Sequence, residues 1–404
     1  MNRLEFHLAS PEDAQKVAAF NRRLAAAGES NHHLSVEKPF RTMSHMEDSP
    51  ITVEKLLCVE GNEVRGGVGI KRMMFQVKGR AEEVAFAVYP LSEGIINRSY
   101  GAVGLMIREE LLRRYPLMYG LGALNNAPAK VRQLTGWFYS PVSFHFAVLH
   151  PYPFLRNMNY LRRKKATRIV PDSAAISGLG ALGLRFLHLI QQSRGRYPRA
   201  NNLSIERFDE WGAWADQIWQ TARHRYSLIG DRSRAALASL YPAGHAHLVK
   251  LCIREADNNR LIGWAVLTLA RLKNHDYFGD MMLAGLVDMF AVPENAYAVV
   301  SGALSSVRQM GADLAIANHS DSRWNEAFKR AGMLSWKTNL FLSLSPELKE
   351  RFDIVEDDVD YFYFTRGDGH GPTRLWMSDY YSDDQAFETS PSKFAWLLGD
   401  VSNA

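Results

Sequence analysis

The chain has 404 residues, of which 47% are hydrophobic, 23% charged and 11% aromatic, a composition typical of folded globular proteins. This balance excludes a disordered, collagen-like or coiled-coil chain, and the length predicts two domains or one large one. The net charge of +5, from 48 Lys and Arg against 43 Asp and Glu, would suit an anionic ligand but selects no class of ligand.

The first third of the chain alternates strand and helix patterns. We predict strands at 4–8, 56–59, 68–77, 83–89 and 117–122, and helices at 11–27, 101–114 and 128–134. Pro90 is expected to end the strand at 83–89, because proline cannot donate to a sheet ladder. The pattern at 137–149 indicates one long strand or a bent pair of strands.

From Leu203 the same order of elements returns. We predict strands at 203–208, 247–254, 261–272, 286–292, 313–317 and 334–344, and helices at 211–224, 233–240, 296–310 and 324–330. The shared order indicates a duplicated α/β unit, although few residues are identical between the halves. We therefore predict an N-terminal domain at 1–150, a basic and apolar connecting segment at 151–201, a C-terminal domain at 202–365 and a tail at 366–404.

Cysteine and histidine usage predicts neither a disulfide framework nor a metal site. Cys58 and Cys252 lie far apart in apolar runs, which is typical of buried free thiols. The histidines are scattered and form no H-E-x-x-H helix, so we expect no metal. The first six residues carry charge and lack the apolar run of a signal peptide, so we expect a cytoplasmic protein.

The segment from Val84 to Arg114 carries the clearest chemical signal. An apolar strand ends at Tyr89-Pro90, and a polar loop leads into an amphipathic helix. The first turn of a helix has unpaired N–H groups, and its dipole favours an anion. Gly101 permits close backbone approach and Arg98 adds a cation, so the pattern predicts a phosphate site. A packing glycine beside a surface arginine is the alternative.

This segment resembles the GNAT acyltransferase superfamily. There a central strand ends in a Val-x-Pro-like corner, and an (Arg/Gln)-x-x-Gly-x-(Gly/Ala) loop cradles the pyrophosphate of coenzyme A. Val88-Tyr89-Pro90 resembles the corner and the residues from Arg98 to Val103 resemble the loop. Val103 stands where the family has Gly or Ala, and the loop before Arg98 is longer than typical. Downstream, Asn125 and the step Gly136-Trp137-Phe138-Tyr139 resemble the family's next elements.

The second half repeats this resemblance in part. The run from Val287 to Pro293 resembles a second central strand and corner, but the loop from Glu294 to Val299 lacks the arginine and the glycine. The resemblance therefore implies an α/β (α+β) protein with two GNAT-like domains in tandem. Each would have a mixed, mostly antiparallel sheet flanked by helices, and the second would have a degenerate cofactor loop.

The resemblance also implies roles for individual residues. Those implied to bind the cofactor are Val88, Arg98, Ser99, Tyr100, Gly101, Ala102, Val103, Gly104 and Asn125. Glu83 or its neighbour Glu82 is implied as the base for the amine, and Tyr139 as the acid for the leaving thiolate. The alternatives are an exposed carboxylate and a structural tyrosine. Asp288 interrupts an apolar strand, and since a buried acid is either paired or functional, it is a third catalytic candidate. His319 and Asp321 are candidates for the acceptor pocket, with a helix cap as the alternative.

The resulting functional prediction is an N-acyltransferase. An amine would attack the thioester of acetyl-CoA or a longer acyl-CoA directly, with no covalent enzyme intermediate and no metal. The expected partner is a small-molecule amine, and an acyl carrier protein is an alternative donor. Two rivals stay open: a Fem-like transferase that uses aminoacyl-tRNA, and a non-catalytic binding protein on degenerate GNAT domains. Nucleic acid is not favoured.

The connecting segment has two interpretations. Apolar residues recur at helical spacing within 176–190, and Arg and Lys residues flank them. A helix packed across the two domains is the favoured interpretation. Peripheral membrane contact through 162–190 is the alternative, because basic flanks suit an anionic membrane surface.

Overall fold

The structure, a computed structural model, describes residues 3–29, 33–34, 49–122, 132–157, 202–245, 248–275, 278–338 and 340–369. The chain divides into two units. The first comprises Met1–Gly120, Val131–Tyr139 and Ser343–Val355, and the second comprises Leu121–Lys130, Ser140–Leu342 and Glu356–Ala404. These units exchange segments of chain and so differ from the predicted domains at 1–150 and 202–365.

The first sheet is built largely from antiparallel hairpins. Its strands follow the order β1-β2-β3-β4-β5-β15-β6. They are β1 (Leu4–Leu8), β2 (Ile51–Glu60), β3 (Glu63–Val77), β4 (Arg80–Ser92), β5 (Met118–Gly122), β6 (Phe138–Pro141) and β15 (Phe341–Leu344). Lys78 and Gly79 form the β3–β4 turn with positive φ angles of 46° and 80°, which suit the twist of a two-residue hairpin.

Two helices cover the opposite faces of this sheet. Helix α1 (Ala14–Ala26) buries Phe20 and Leu24 in a cluster with Leu57. Helix α2 (Val103–Arg114) buries Val103, Ile107 and Leu111 at helical spacing. Those residues form a cluster with alternate residues of the strands, such as Ile70 and Ala85. The predicted helices at 11–27 and 101–114 are thus confirmed with slightly shorter bounds.

The sequence predicted that Pro90 ends its strand, but the strand continues past this residue. Strand β4 continues to Ser92, and the ladder with β3 shifts between the pairs Gly69↔Val88 and Gly67↔Leu91. Tyr89, with φ of 48°, and Pro90 form the bulge, where no ladder hydrogen bond is required of the proline.

The second unit contains a seven-stranded sheet in the order β14-β7-β13-β12-β11-β10-β8. The strands are β7 (Ser143–Val148), β8 (Leu203–Phe208), β10 (Leu248–Glu255), β11 (Leu261–His275), β12 (Gly279–Ala291), β13 (Leu314–His319) and β14 (Leu334–Trp336). Two further short strands of this unit, β9 (Leu228–Gly230) and β16 (Phe362–Tyr363), pair with each other in parallel.

Six described helices flank these strands or follow them in the chain. They are α3 (Pro151–Asn157), α4 (Trp214–Ala222), α5 (Arg234–Leu240), α6 (Ala296–Gln309), α7 (Ser322–Arg330) and, in the first unit, α8 (Pro346–Arg351). Helix α3 occupies the start of the predicted connecting segment and places Phe154 in a core cluster with Leu283 and Ile316.

Two long predicted strands, at 137–149 and 334–344, are each divided between the two sheets in the structure. Residues 137–149 form β6 and β7, and β7 pairs antiparallel with β13 at Val148↔Leu314 in the second sheet. Residues 334–344 form β14, which pairs with β7, and β15, which lies in the first sheet. Alternating apolar residues favour an extended conformation, but they do not specify which sheet receives the strand.

Close packing of α6 on the second sheet generates a stability prediction. A Cβ at Gly263 of β11 would lie 2.6 Å from the Phe290 carbonyl oxygen and 2.7 Å from Val299 Cγ2. We expect Gly263→Ala to lower the free energy of unfolding by about 1–3 kcal/mol, because this core is already filled. The control is Gly302→Ala in α6, where the new Cβ meets nothing closer than 3.4 Å and alanine favours the helix. Urea denaturation measures both, and equal effects would contradict the packing argument.

Candidate active site

A parallel strand pair in the first sheet separates soon after it forms. Strands β4 and β5 pair only at Ala85↔Met118 and Phe86↔Tyr119, although both strands continue beyond these residues. The bulge at Tyr89 and Pro90 follows three residues later and bends β4 locally. The main-chain groups of β4 that face β5 beyond Phe86 are therefore released from this ladder.

The loop after β4 is folded and anchored. It contains two short 3-10 turns, Glu93–Ile95 and Arg98–Tyr100. Glu93 is buried and forms ion pairs of 3.0 Å with Arg23 and with Arg65. Burial opposes ionisation, but the two guanidinium groups hold the pKa of Glu93 below its ordinary value. This pairing fixes the loop that leads into α2.

The described residues among those predicted to bind a cofactor occupy three settings. Arg98, Ser99, Gly101, Ala102 and Gly104 surround the start of α2, and a Cβ at Gly101 would meet only the Arg98 carbonyl oxygen, at 3.2 Å. Val88 and Val103 are instead buried. Tyr100 donates a 2.7 Å hydrogen bond to Glu60 and lies under the guanidinium of Arg65. Its position indicates a role in anchoring the loop.

Asn125 lies outside the described residues, as do the basic cluster at 162–168, the segment 162–190 and most of the predicted helix at 128–134. The predicted roles of these residues stay predictions. In the described part of the chain, no helix is long and apolar enough to cross a membrane.

Glu83 and Tyr139 occupy different settings within the first unit. Glu83 is half-exposed on β4 and accepts a 2.6 Å hydrogen bond from Arg72, which also pairs with Glu54 of β2. Tyr139 is half-buried against the cluster under α2. Burial raises the pKa of Tyr139, and the nearby charges of Arg132 and Arg108 oppose this shift. Neither catalytic role is tested by these placements.

The second sheet has a corresponding separation of parallel strands. Strands β12 and β13 pair from Leu283↔Leu314 to Leu286↔Ala317, and β12 then bulges at Val287. A later stretch of chain, Phe362–Asp368, which we call the closing segment, lies between the separated ends. Its Thr365 bridges to His319 of β13, and its Tyr363 hydroxyl donates to the Met289 carbonyl oxygen of β12.

Asp288 joins β12 to the closing segment through a buried ion-pair network. Its Oδ2 lies 2.9 Å from Arg232 Nε, and its Oδ1 accepts a 3.1 Å hydrogen bond from Thr365. Arg232 also pairs with Asp368 at 2.8 Å, and Tyr241 donates to Asp288 at 2.9 Å. Burial raises the pKa of Asp288 whereas Arg232 lowers it. The sequence analysis left open that Asp288 is paired, and the structure shows that its charged partner is Arg232.

His319 and Asp321 flank the end of β13. Asp321 accepts hydrogen bonds from the backbone N–H groups of Arg323 and Trp324 and so caps α7, as the alternative interpretation had it. His319 is fully buried and stacks on Trp324 with 5.2 Å between ring centroids. Its Nδ1 accepts from the Asp321 backbone N–H, which leaves the proton on Nε2.

The sequence analysis did not single out three arginines that lie near these residues: Arg108, Arg132 and Arg232. Arg108 looked like an ordinary polar residue of α2, and Arg132 lies in a stretch predicted only as a helix. Arg232 gave no signal, because its partner Asp368 is 136 residues away. The contact between the Thr-Arg-Gly-Asp run at 365–368 and β12 was likewise not predictable from local pattern.

Comparisons with solved structures find several chains to which this one is similar. A conserved Enterococcus faecalis V583 protein, described as a probable N-acyltransferase, has 11% identity and a TM-score of 0.50, over 86% of this chain and 74% of that one. A GCN5-related N-acetyltransferase from Anabaena variabilis has 10% identity and a TM-score of 0.49, over 84% and 72%. A tandem GNAT protein from the clavulanic acid pathway has 10% identity and a TM-score of 0.43, over 84% and 98%. The sequence matches no protein-family profile and no curated protein.

The structure therefore has the α+β architecture that the resemblance implied, with two sheets flanked by helices. Two mixed sheets flanked by helices, each with a parallel pair of strands that separates, agree with the likeness to the Enterococcus protein. The predicted fold class is thus confirmed, whereas the residue-by-residue resemblance of Val88-Tyr89-Pro90 and of the loop from Arg98 to Val103 stays a prediction. At such low identity the comparisons establish the fold alone.

The buried network generates a stability prediction. Asp288→Asn keeps the shape of the side chain but leaves Arg232 with one carboxylate instead of two. Because the variant also replaces a carboxylate oxygen that accepts from Tyr241 or Thr365 by an amide that donates, we expect a loss of about 1–3 kcal/mol in the free energy of unfolding by urea. Asp360→Asn, at an exposed position of the same unit, is the control and should stay within about 0.5 kcal/mol. A loss below about 1 kcal/mol for Asp288→Asn would contradict the structural role.

A second prediction concerns pH and the buried His145 of β7. Its Nε2 lies 2.9 Å from Asn325 Oδ1, which only accepts, so Nε2 carries the proton of a neutral ring. Burial lowers the pKa of His145 to about 4, against about 6.5 in an unfolded chain. The unfolded chain takes up the proton first, so stability falls as the pH drops from about 6.5 to about 4.

The expected loss from His145 is about 3 kcal/mol across that window. Urea denaturation at a series of pH values, compared with His145→Gln, measures it, since glutamine does not titrate. The variant should lose less stability on acidification by about that amount. Parallel pH profiles for the two proteins would show that His145 is not held neutral.

Proposed function

We propose that the first unit binds an acyl-CoA thioester and that the acyl group passes to an amine by direct attack. The observation that carries this proposal is the separation of β4 from β5 immediately before the anchored loop that opens α2. A pantetheine arm could pair with the released edge of β4. The pyrophosphate would meet the unpaired N–H groups of α2 and the cation of Arg98.

The side-chain arrangement at the start of α2 suits this use. Val103, which departs from the family pattern, directs its side chain into the core under α2 and leaves its backbone N–H in the first turn. Gly101 has open space where a Cβ would stand, apart from the Arg98 carbonyl oxygen. A bulky residue at Val103 therefore does not occupy the approach of a phosphate to the main chain.

The second unit is the less suitable donor site. Its separated strands are bridged by the closing segment, which bonds to both β12 and β13. Its helix α6 starts after Pro293-Glu294-Asn295, and the carboxylate of Glu294 at that end is ion-paired with Arg225. We propose that this unit supports the first one or shapes the acceptor pocket.

The reaction needs a base and an acid. The amine must lose a proton, its nitrogen then attacks the thioester carbonyl carbon, and the tetrahedral intermediate collapses as the C–S bond breaks and the thiolate takes a proton. We assign the base role to Glu83 and the acid role to Tyr139. Burial keeps the pKa of Tyr139 above its ordinary value, so the hydroxyl retains its proton at neutral pH.

Ligand-induced stabilisation tests the donor site. We expect acetyl-CoA or a longer acyl-CoA to raise the melting temperature of the full chain in a saturable way, because it binds only the folded state. Gly101→Glu should abolish this rise, since its carboxylate would repel the pyrophosphate. Asn295→Glu, the same charge change at the start of α6, should preserve it. The reverse result would place the donor in the second unit, and no rise with any acyl-CoA would refute CoA binding.

Two substitutions test the catalytic assignments in an acyl-transfer assay. We expect Tyr139→Phe and Glu83→Gln each to lower kcat by about a hundredfold with little change in acyl-CoA affinity, as loss of an acid or base does. Glu54→Gln is the matched control for Glu83, because both carboxylates pair with Arg72. Equal losses for Glu83→Gln and Glu54→Gln would assign both residues to holding Arg72.

A further inference from the structure

The ladder between β4 and β5 ends at a pair of aromatic residues. Phe86 of β4 and Tyr119 of β5 are the last residues that it pairs. Their rings lie on the same face of the sheet and stack, with 4.9 Å between centroids and 26° between planes. Each residue is only 1% exposed. Two stacked, buried rings therefore form the closed end of the separation between these strands.

Side chains of β3 hold the two rings in place. Phe75 packs on Tyr119 with 5.2 Å between ring centroids. Lys71 pairs with Phe86 across the ladder and places its ammonium nitrogen 5.2 Å from the centre of the Phe86 ring. Phe75 and Lys71 are themselves buried. Because a core packed in this way accepts little additional volume, a ligand could displace the rings only by disturbing several buried side chains.

The opposite face of the sheet is filled at the same level. Ala85 and Met118 form the preceding pair of the ladder, and successive residues of a strand point to opposite faces. Both belong to a core cluster with Ile107 and Leu111 of α2. Described side chains thus fill both faces of the sheet at the closed end of the separation.

The proposed donor would point its acyl group towards this closed end. A Cβ at Gly104 would lie 3.5 Å from Ser92 Oγ, so the start of α2 lies beside the last residue of β4. Phe86 is six residues earlier in β4, about 20 Å away at the usual rise per residue. With the pyrophosphate at α2 and the arm along β4, the thioester approaches the rings, and the acyl chain meets them next.

We infer that Phe86 and Tyr119 determine specificity for the length of the acyl group, and that their rings restrict the donor to a short chain. This inference rests on the proposed acyl transfer in the first unit. The start of α2 and the edge of β4 would serve any acyl-CoA alike. The two rings discriminate, because each further methylene of the chain has to enter a core that is already filled.

Calorimetric titration of the full chain with acetyl-CoA and with octanoyl-CoA tests this inference. The two esters differ only in the length of the acyl chain. We expect the wild type to bind acetyl-CoA more tightly by about tenfold or more, the discrimination typical of methylenes that a pocket cannot hold. Phe86→Ala and Tyr119→Ala each remove a ring from the closed end. Each should shift the ratio of the two affinities by about tenfold or more towards octanoyl-CoA.

Phe20→Ala is the matched control. It removes an equally buried ring from another core cluster of the same unit, so it should keep the wild-type ratio. If an alanine variant does not fold, the leucine variants at the same three positions are compared with hexanoyl-CoA as the longer ester. The inference is overturned if the wild type binds both esters equally, if the Phe86 and Tyr119 variants keep its ratio, or if the Phe20 variant shifts the ratio as they do.

Unesterified CoA separates failure of this inference from failure of the proposed function. CoA that binds the wild type but not Gly101→Glu identifies the donor site of the first unit. Equal affinities for CoA and both esters at that site would leave the proposed function standing and overturn the role of the rings. Binding that Gly101→Glu retains would place the donor elsewhere and overturn that role as well. If none of the three ligands binds the wild type, acyl-CoA transfer and the inference are refuted together.

Discussion

The early end of a parallel ladder is the constraint on which the rest of this structure depends. In the first unit two residue pairs join β4 to β5, and the bulge at Tyr89 and Pro90 then bends β4. Main-chain groups released in this way must find other partners, because unpaired backbone polar groups are costly when buried. Each unit therefore needs something to occupy the space between its separated strands.

The two units meet this need differently. In the second unit the chain itself supplies the partner, since Thr365 and Tyr363 bond to the separated strands and Arg232 holds two carboxylates between them. In the first unit the anchored loop leads from the end of β4 to the start of α2, and the guanidinium of Arg132 lies against Gly120 of β5. In our proposal, the separation in the second unit therefore serves stability and the one in the first unit binds a ligand.

Local sequence pattern was sufficient for most elements and insufficient for the long-range contacts. Helix α2 was predictable because Val103, Ile107 and Leu111 recur at helical spacing, and the hairpins because turn residues such as Gly61 separate apolar runs. The exchange of β7 and β15 was not predictable, since alternation does not name a partner strand. The pairing of Arg232 with Asp368 and the position of Arg132 over Gly120 depend on tertiary structure alone.

Segment exchange also constrains the order in which this protein can be made. The first unit includes Ser343–Val355, whose Ser345 Oγ accepts from the Met118 N–H and donates to the Pro116 carbonyl oxygen. Those residues leave the ribosome after residues 140–342 of the second unit have been synthesised. The first unit therefore stays incomplete during most of translation. Two separately expressed halves would each lack strands that the other encodes, so the duplication no longer consists of two independent domains.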